Sequence, residues 1–189
     1  ETSVITFTFS EDILGFTDAD IVLEGGGSLS SISATSSQVF SATYTPPTDT
    51  TGTVTLTIGA TKYTDLVLND NTATATISLT VDTVTPTTSS IQWSDISNLT
   101  LTISFSESIY ANNNGTGSLT TADFTSTVSG TGITAVNIST VNQLTANSHS
   151  LILNVTGTAN GDEVFTILPV ANSIFDSSGN AMEDSQTVE

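Results

Sequence analysis

The chain has 189 residues, no cysteine, a single residue of the Lys/Arg class and a formal net charge of -18. One basic residue cannot supply the positive footprint that a nucleic acid requires, and an anionic membrane surface repels such a chain. The partners this charge favours are cations, divalent ones above all, with a saline habitat as a second reading. No apolar run is long enough to span a bilayer.

In chain order the strand signals are continuous. "VITFTFS" from Val4, "VFSATYT" from Val39, "GTVTLTIGA" from Gly52 and "ATISLTV" from Ala75 come first. "LTLTISFS" from Leu99, "HSLILNVT" from His149 and "EVFTILPV" from Glu163 follow. Each is a short β-branched or aromatic run with period-two alternation, bounded by Gly, Pro, Asn, Asp or Ser. No sustained helical periodicity interrupts them. This spacing predicts an all-β sandwich fold, and the recurring apolar runs argue against disorder despite the acidic, Ser/Thr-rich composition.

The phrases also repeat. "TFTFSEDI" from Thr6 returns as "TISFSESI" from Thr102, and "TDADIVL" from Thr17 as "TTADFTS" from Thr120. "TGTVTLTIGA" from Thr51 aligns with "NGDEVFTILP" from Asn160, and "YTDLVLNDN" from Tyr63 with "IFDSSGN" from Ile174. The order is the same in both halves, and "ANNNGTGS" from Ala111 reads as a loop insertion in the second. The chain therefore reads as two copies of one domain, residues 1–81 and 82–189. The boundary lies at "TVDTVTPTTSS", where Pro86 cannot continue a ladder. Around "TSSIQW" the second copy has a first strand for which the first copy has no counterpart. Either a boundary of the chain excludes that strand or another subunit donates it.

The segment from Thr6 to Asn71 resembles the bacterial Ig-like repeats of large surface adhesins. The shared features are a strand ending in Ser-Glu, an "F-x-x-x-D-I" step, a Gly/Asn turn, a "Y-x-A/T-x-x-P" strand and an Asp-containing loop near the end. The glycine usual in that loop is missing from "YTDLVLNDN". The second half, with "FSESI", "TADF", "GDEVFTI" and "FDSSGNAM", is similar to Ig-like domains of S-layer and other exported proteins. The resemblance implies two tandem Greek-key Ig-like β-sandwiches at the cell surface or outside the cell. They would serve as a stalk or spacer without catalysis, with neighbouring repeats as partners. The alternative is a self-assembling subunit of an S-layer or filament, its identical copies joined by strand exchange.

Calcium takes six to eight oxygen ligands, and acids are the chain's plentiful chemical resource. The resemblance implies interdomain calcium, carried onto Glu11 and Glu107 at the ends of matching strands, Asp65 and Asp176 in matching loops, and Asp82 in the linker. Asp70 and Asn180 follow the two loop acids. The competing reading makes these acids solvated turn residues, with Asp20 and Asp123 as local caps. His149, the single histidine, reads as a polar residue at a strand edge rather than part of a triad or zinc site. Asp162 and Glu163 are adjacent and would face opposite ways on a strand, which argues against a glycosidase pair. Trp93 is expected in the core of the second domain. Sequons at Asn98, Asn114, Asn137 and Asn154 are candidate glycosylation sites.

Overall fold

The computed structural model describes residues 2–183, and it is β throughout apart from three single-turn 3-10 helices. The chain divides into two compact units, Glu1–Val84 and Thr85–Glu189. The boundary expected after residue 81 falls inside the last strand of the first unit, which runs to Asp82.

Unit 1 contains β1 (Ser3–Thr8), β2 (Ile13–Leu14), β3 (Ile21–Glu24), β4 (Ser28–Leu29), β5 (Ser33–Ala34), β6 (Val39–Thr45), β7 (Thr51–Ile58), β8 (Thr64–Asp65) and β9 (Ala75–Asp82). One sheet runs β1-β6-β4, with β5 also on β6, and the other runs β3-β7-β9. A two-residue ladder joins β2 to β8. The alternation seen in the sequence sets the faces. On β6, Phe40, Ala42 and Tyr44 are buried and the residues between them are less so. Ile5, Tyr44, Val54, Leu56 and Val81 form one part of the core. Phe7, Phe9, Phe16, Phe40 and Tyr63 form an edge-to-face aromatic cluster in the other part.

Unit 2 contains β10 (Thr88–Asp95), β11 (Thr100–Phe105), β12 (Phe124–Ser129), β13 (Ile133–Thr145), β14 (Ser148–Gly157) and β15 (Val164–Pro169). Its sheets are β10-β11-β14-β13 and β12-β15. Leu101, Ile103, Phe105, Leu151, Leu153, Ile167 and Ile174 lie at the centre of its core.

The registers show how the copies correspond. β1 lies on β6 as β11 lies on β14, with Phe7 opposite Phe40 and Ile103 opposite His149. β3 lies on β7 as β12 lies on β15. Leu56 sits opposite Leu23 and Ile167 opposite Ser126, so Leu56 corresponds to Ile167 and the repeat alignment moves by two residues from the sequence reading. The slip was invisible in sequence because a two-residue shift leaves the buried face unchanged. The turn after each Thr17-type position also repeats. The N–H and hydroxyl of Thr17 donate to Asp20 Oδ2, and those of Thr120 donate to Asp123 Oδ2. Asp20 and Asp123 are local caps, as the sequence suggests.

Two readings are corrected. His149 is 1 % exposed and faces the core from β14, a strand paired on both sides. It occupies the place that Phe40 holds in unit 1. Its ring meets Phe105 edge-on at 6.1 Å, as Phe40 meets Phe9 at 5.7 Å. Trp93 is 41 % exposed on β10 and lies edge-on against Phe165 at 5.8 Å. It covers the rim of the core rather than filling it.

Candidate metal centre

Both Asp65 and Asp176 organise a five-residue loop. The Asp65 N–H donates to the carbonyl of Asn69 at 3.0 Å, and the Asp176 N–H donates to the carbonyl of Asn180 at 3.1 Å. In unit 1, Asp65 Oδ1 accepts from the N–H groups of Val67 and Asn69 at 2.8 Å, and Oδ2 accepts from Asn69 Nδ2 at 2.7 Å. In unit 2, Asp176 Oδ1 accepts from the N–H groups of Ser178 and Asn180 at 2.8 Å, and Oδ2 from Asn180 Nδ2 at 2.7 Å. The bridges Thr64–Asp70 and Phe175–Ala181 close the two loops alike. Asn69, not Asp70, is therefore the partner position of Asn180. The Asp-x-x-x-Asn spacing stood in both halves of the sequence, and the pairing with Asp70 passed over it.

The fourth loop position has positive φ in both copies. Gly179 takes it at +90° and Leu68 at +69°. The glycine missing from the first copy is thus replaced by a residue held in the left-handed region. Hydrogen bonds from the Asn69 N–H and then its side-chain amide hold the Asp65 carboxyl below its usual pKa, against the opposing effect of burial.

The loops differ in burial. Asp176 is 0 % exposed, whereas Asp65 is half-buried. The cause is the insertion after Ala111. A Cβ on Gly179 would stand 2.5 Å from the Asn113 carbonyl, and one on Gly115 would stand 3.1 Å from that of Ser177. The insertion therefore packs directly on the Asp176 loop, and glycine is required where the backbones meet.

Glu107 ends the Ser-Glu phrase of unit 2, and one of its carboxylate oxygens lies within 4.8 Å of one from Asp176. The adjacent Ser106 holds the incoming chain. Its N–H donates to the Thr87 carbonyl at 2.9 Å, and its hydroxyl accepts from the Thr87 N–H at 3.0 Å. The two acids thus stand at the end of the sandwich where the linker enters. The corresponding acids of unit 1, Glu11 and Asp65, line one concavity of about 320 Å³ together with Asp12 and Gln38. Asp82 closes β9, and its Oδ1 accepts from the Thr51 hydroxyl at 3.1 Å and the Val84 N–H at 3.2 Å.

The other acids have structural work. Asp162 accepts from the Thr131 N–H and then its hydroxyl, and both hold its carboxyl below the usual pKa. Burial pushes the Glu163 carboxyl up, but the N–H groups of Asn160 and Gly161 outweigh it and hold it down. Glu163 also accepts from the Gly132 N–H, so both acids tie the β14–β15 connection to residues 131 and 132. They lie ahead of β15, not within it, so the alternation argument does not apply to them.

A family model, the bacterial Ig-like domain, matches residues 1–81. Over that span, less than half of the chain, the protein is similar to a bacterial Ig-like domain. The second unit repeats the β1–β6 and β3–β7 pairings, the caps and the Asp loop of the first, with β10 added and no counterpart of β9 among the described residues, so the chain carries two tandem Ig-like β-sandwiches. No curated protein and no solved structure matches the chain. Bacterial Ig-like domains usually occur in extracellular or surface proteins and are typically non-catalytic. Among the described residues no helix is long and apolar enough to cross a membrane, which says nothing of a β-barrel.

Proposed function

We propose that the chain is a spacer segment of a microbial cell-surface adhesin, and that calcium stiffens it. The observation that carries this reading is the Glu107–Asp176 pair. Two carboxylate oxygens within 4.8 Å repel each other, one of the two residues has no exposed surface, and residues 85–189 contain no Lys or Arg. A divalent cation relieves that repulsion, and carboxylate oxygens are the ligands calcium prefers. A cation held by Glu107 and Asp176 would stiffen the end of unit 2 where the linker enters. The mechanical role itself needs no chemistry: each sandwich resists extension through its ladder hydrogen bonds, and the acidic surface keeps neighbouring stalks apart.

The test is thermal unfolding with calcium, with chelator, and with sodium at matched ionic strength. Trp93, the single tryptophan, reports on unit 2. The expected result is a saturable rise of several degrees in calcium alone. Glu107→Gln should remove most of it. Equal shifts in calcium and in matched sodium would sink the calcium reading and leave a plain spacer.

A further inference from the structure

The sequence contains two Asn-Gly pairs, Asn114-Gly115 and Asn160-Gly161, and both asparagines are exposed. Such a pair carries a latent reaction. The glycine nitrogen loses its proton and bonds Cγ of the asparagine, unhindered because glycine has no side chain. Negative charge passes onto Oδ1, the Cγ–Nδ2 bond breaks, and the amide takes up a proton and departs as ammonia. Water then opens the cyclic imide at either carbonyl, leaving aspartate or isoaspartate. The rate depends on how easily the nitrogen loses its proton and on what stabilises the charge at Oδ1.

The two pairs meet these requirements differently. Asn114 stands at the tip of the insertion, between the bridged residues Asn112 and Thr116. The Gly115 N–H donates to the Asn112 carbonyl at 3.2 Å, a neutral partner at the long end of the hydrogen-bond range. The Thr116 hydroxyl donates at 2.5 Å to Asn114 Oδ1, the atom on which charge develops. Asn112 Nδ2 donates in turn to that hydroxyl oxygen at 3.4 Å, which strengthens it as a donor. At Asn160, Oδ1 also has a donor, the Asp162 N–H at 3.1 Å. The nucleophile there is tied down. The Gly161 N–H donates to Glu163 Oε2 at 3.0 Å, so removing its proton would set two negative charges side by side. The leaving amide is held as well, donating to the Thr131 hydroxyl at 2.7 Å.

We infer that Asn114 is a modification site of the folded chain, losing ammonia to become aspartate or isoaspartate, whereas the fold protects Asn160. The reaction needs no calcium. It falls on the loop that buries Asp176, where a Cβ on Gly115 would already stand 3.1 Å from the Ser177 carbonyl. Isoaspartate lengthens the backbone by a methylene at that contact. Either product adds a carboxylate to a unit that contains no Lys or Arg. Conversion at Asn114 therefore loosens the packing of the insertion on the Asp176 loop.

The test incubates the 189-residue chain at neutral pH, below its melting point, and follows both sites by peptide mass spectrometry with isoaspartate-specific labelling. Asn114 should convert at least about tenfold faster than Asn160. In denaturant the two rates should converge, because both sites are then plain Asn-Gly peptides. Thr116→Val should slow Asn114 about tenfold and leave Asn160 unchanged. Glu163→Gln should speed Asn160 about tenfold and leave Asn114 unchanged. Each variant is read as the ratio of the two sites within one chain, so a general loosening of unit 2, which moves both, is told apart from the local effect. The isoaspartate fraction should also melt below the fresh protein in the transition reported by Trp93. The inference is overturned by an intact Asn114, by equal rates in the folded chain, by a rate difference that persists in denaturant, or by a Thr116→Val chain that converts as fast as the parent. An unchanged Asn160 rate in Glu163→Gln overturns the protection of Asn160, and an unchanged melting point overturns the effect on the Asp176 loop.

Discussion

Replacing His149 by phenylalanine should stabilise the second domain. Nδ1 of His149 is buried with no hydrogen-bond partner, and the residue occupies the site that Phe40 fills in the first domain. An unsatisfied buried polar atom costs about 1–3 kcal/mol, and phenylalanine removes that cost while keeping an aromatic edge against Phe105. The expected gain at neutral pH is about 1–2 kcal/mol, or a rise of roughly 5–10 °C for a domain of about 100 residues. A pH effect accompanies it. Burial holds the folded His149 pKa below the usual 6.5, so the unfolded chain takes up a proton that the folded one refuses. Wild-type stability is therefore fully present above pH 6.5 and is lost as pH falls toward the folded pKa, at up to about 1.4 kcal/mol per pH unit. The variant lacks this loss, so its advantage should widen as the pH falls from 7 to 5. Thermal unfolding followed by Trp93 fluorescence measures both effects in unit 2. A His149→Phe melting point below wild type, or an advantage that stays constant across that pH range, would refute the reasoning.

Four further outcomes follow from particular residues. Leu68→Gly should stabilise unit 1 by about 0.5–1 kcal/mol in chemical denaturation, because Leu68 holds φ +69° and its side chain is 74 % exposed. Gly179→Ala should destabilise unit 2 by about 1–3 kcal/mol, since its Cβ would meet the Asn113 carbonyl. Phe16→Ala should cost unit 1 about 3–5 kcal/mol by opening a cavity among Phe7, Phe9, Phe40 and Tyr63, and the loss should appear in the tyrosine-monitored transition. In the Asp loop of unit 1, Asn69→Ala should raise the Asp65 pKa partway, as read by NMR titration, because it removes the side-chain amide hydrogen bond and leaves the larger contribution of the backbone N–H in place. The stability tied to that depression exists above the usual carboxylate pKa of 3.8 and disappears as pH falls below it. An unchanged Asp65 titration in the variant would show that the Asn69 amide contributes little.

The all-β class, the two copies and the caps at Asp20 and Asp123 were legible in the sequence because they are written locally. Period-two alternation decides which side chains of a strand share a face, and a turn residue bonds its own neighbours. Even the burial of His149 had a signal, since it falls in phase with Leu151 and Leu153 on β14. Reading it as a strand edge failed because strand partners come from distant segments, here β11 and β13. The two-residue slip between β7 and β15 was hidden because such a shift keeps the same face buried. Glu107 and Asp176 were named from the repeat, but their approach within 4.8 Å depends on the fold. The burial of Asp176, in contrast to Asp65, depends on an insertion more than fifty residues upstream packing on its loop. Sequence pattern determined the strands and their repetition, because those follow from each residue and its neighbours. Only the tertiary structure decided which acid is buried and that His149 lies in a core. Those properties belong to contacts between segments far apart in the chain.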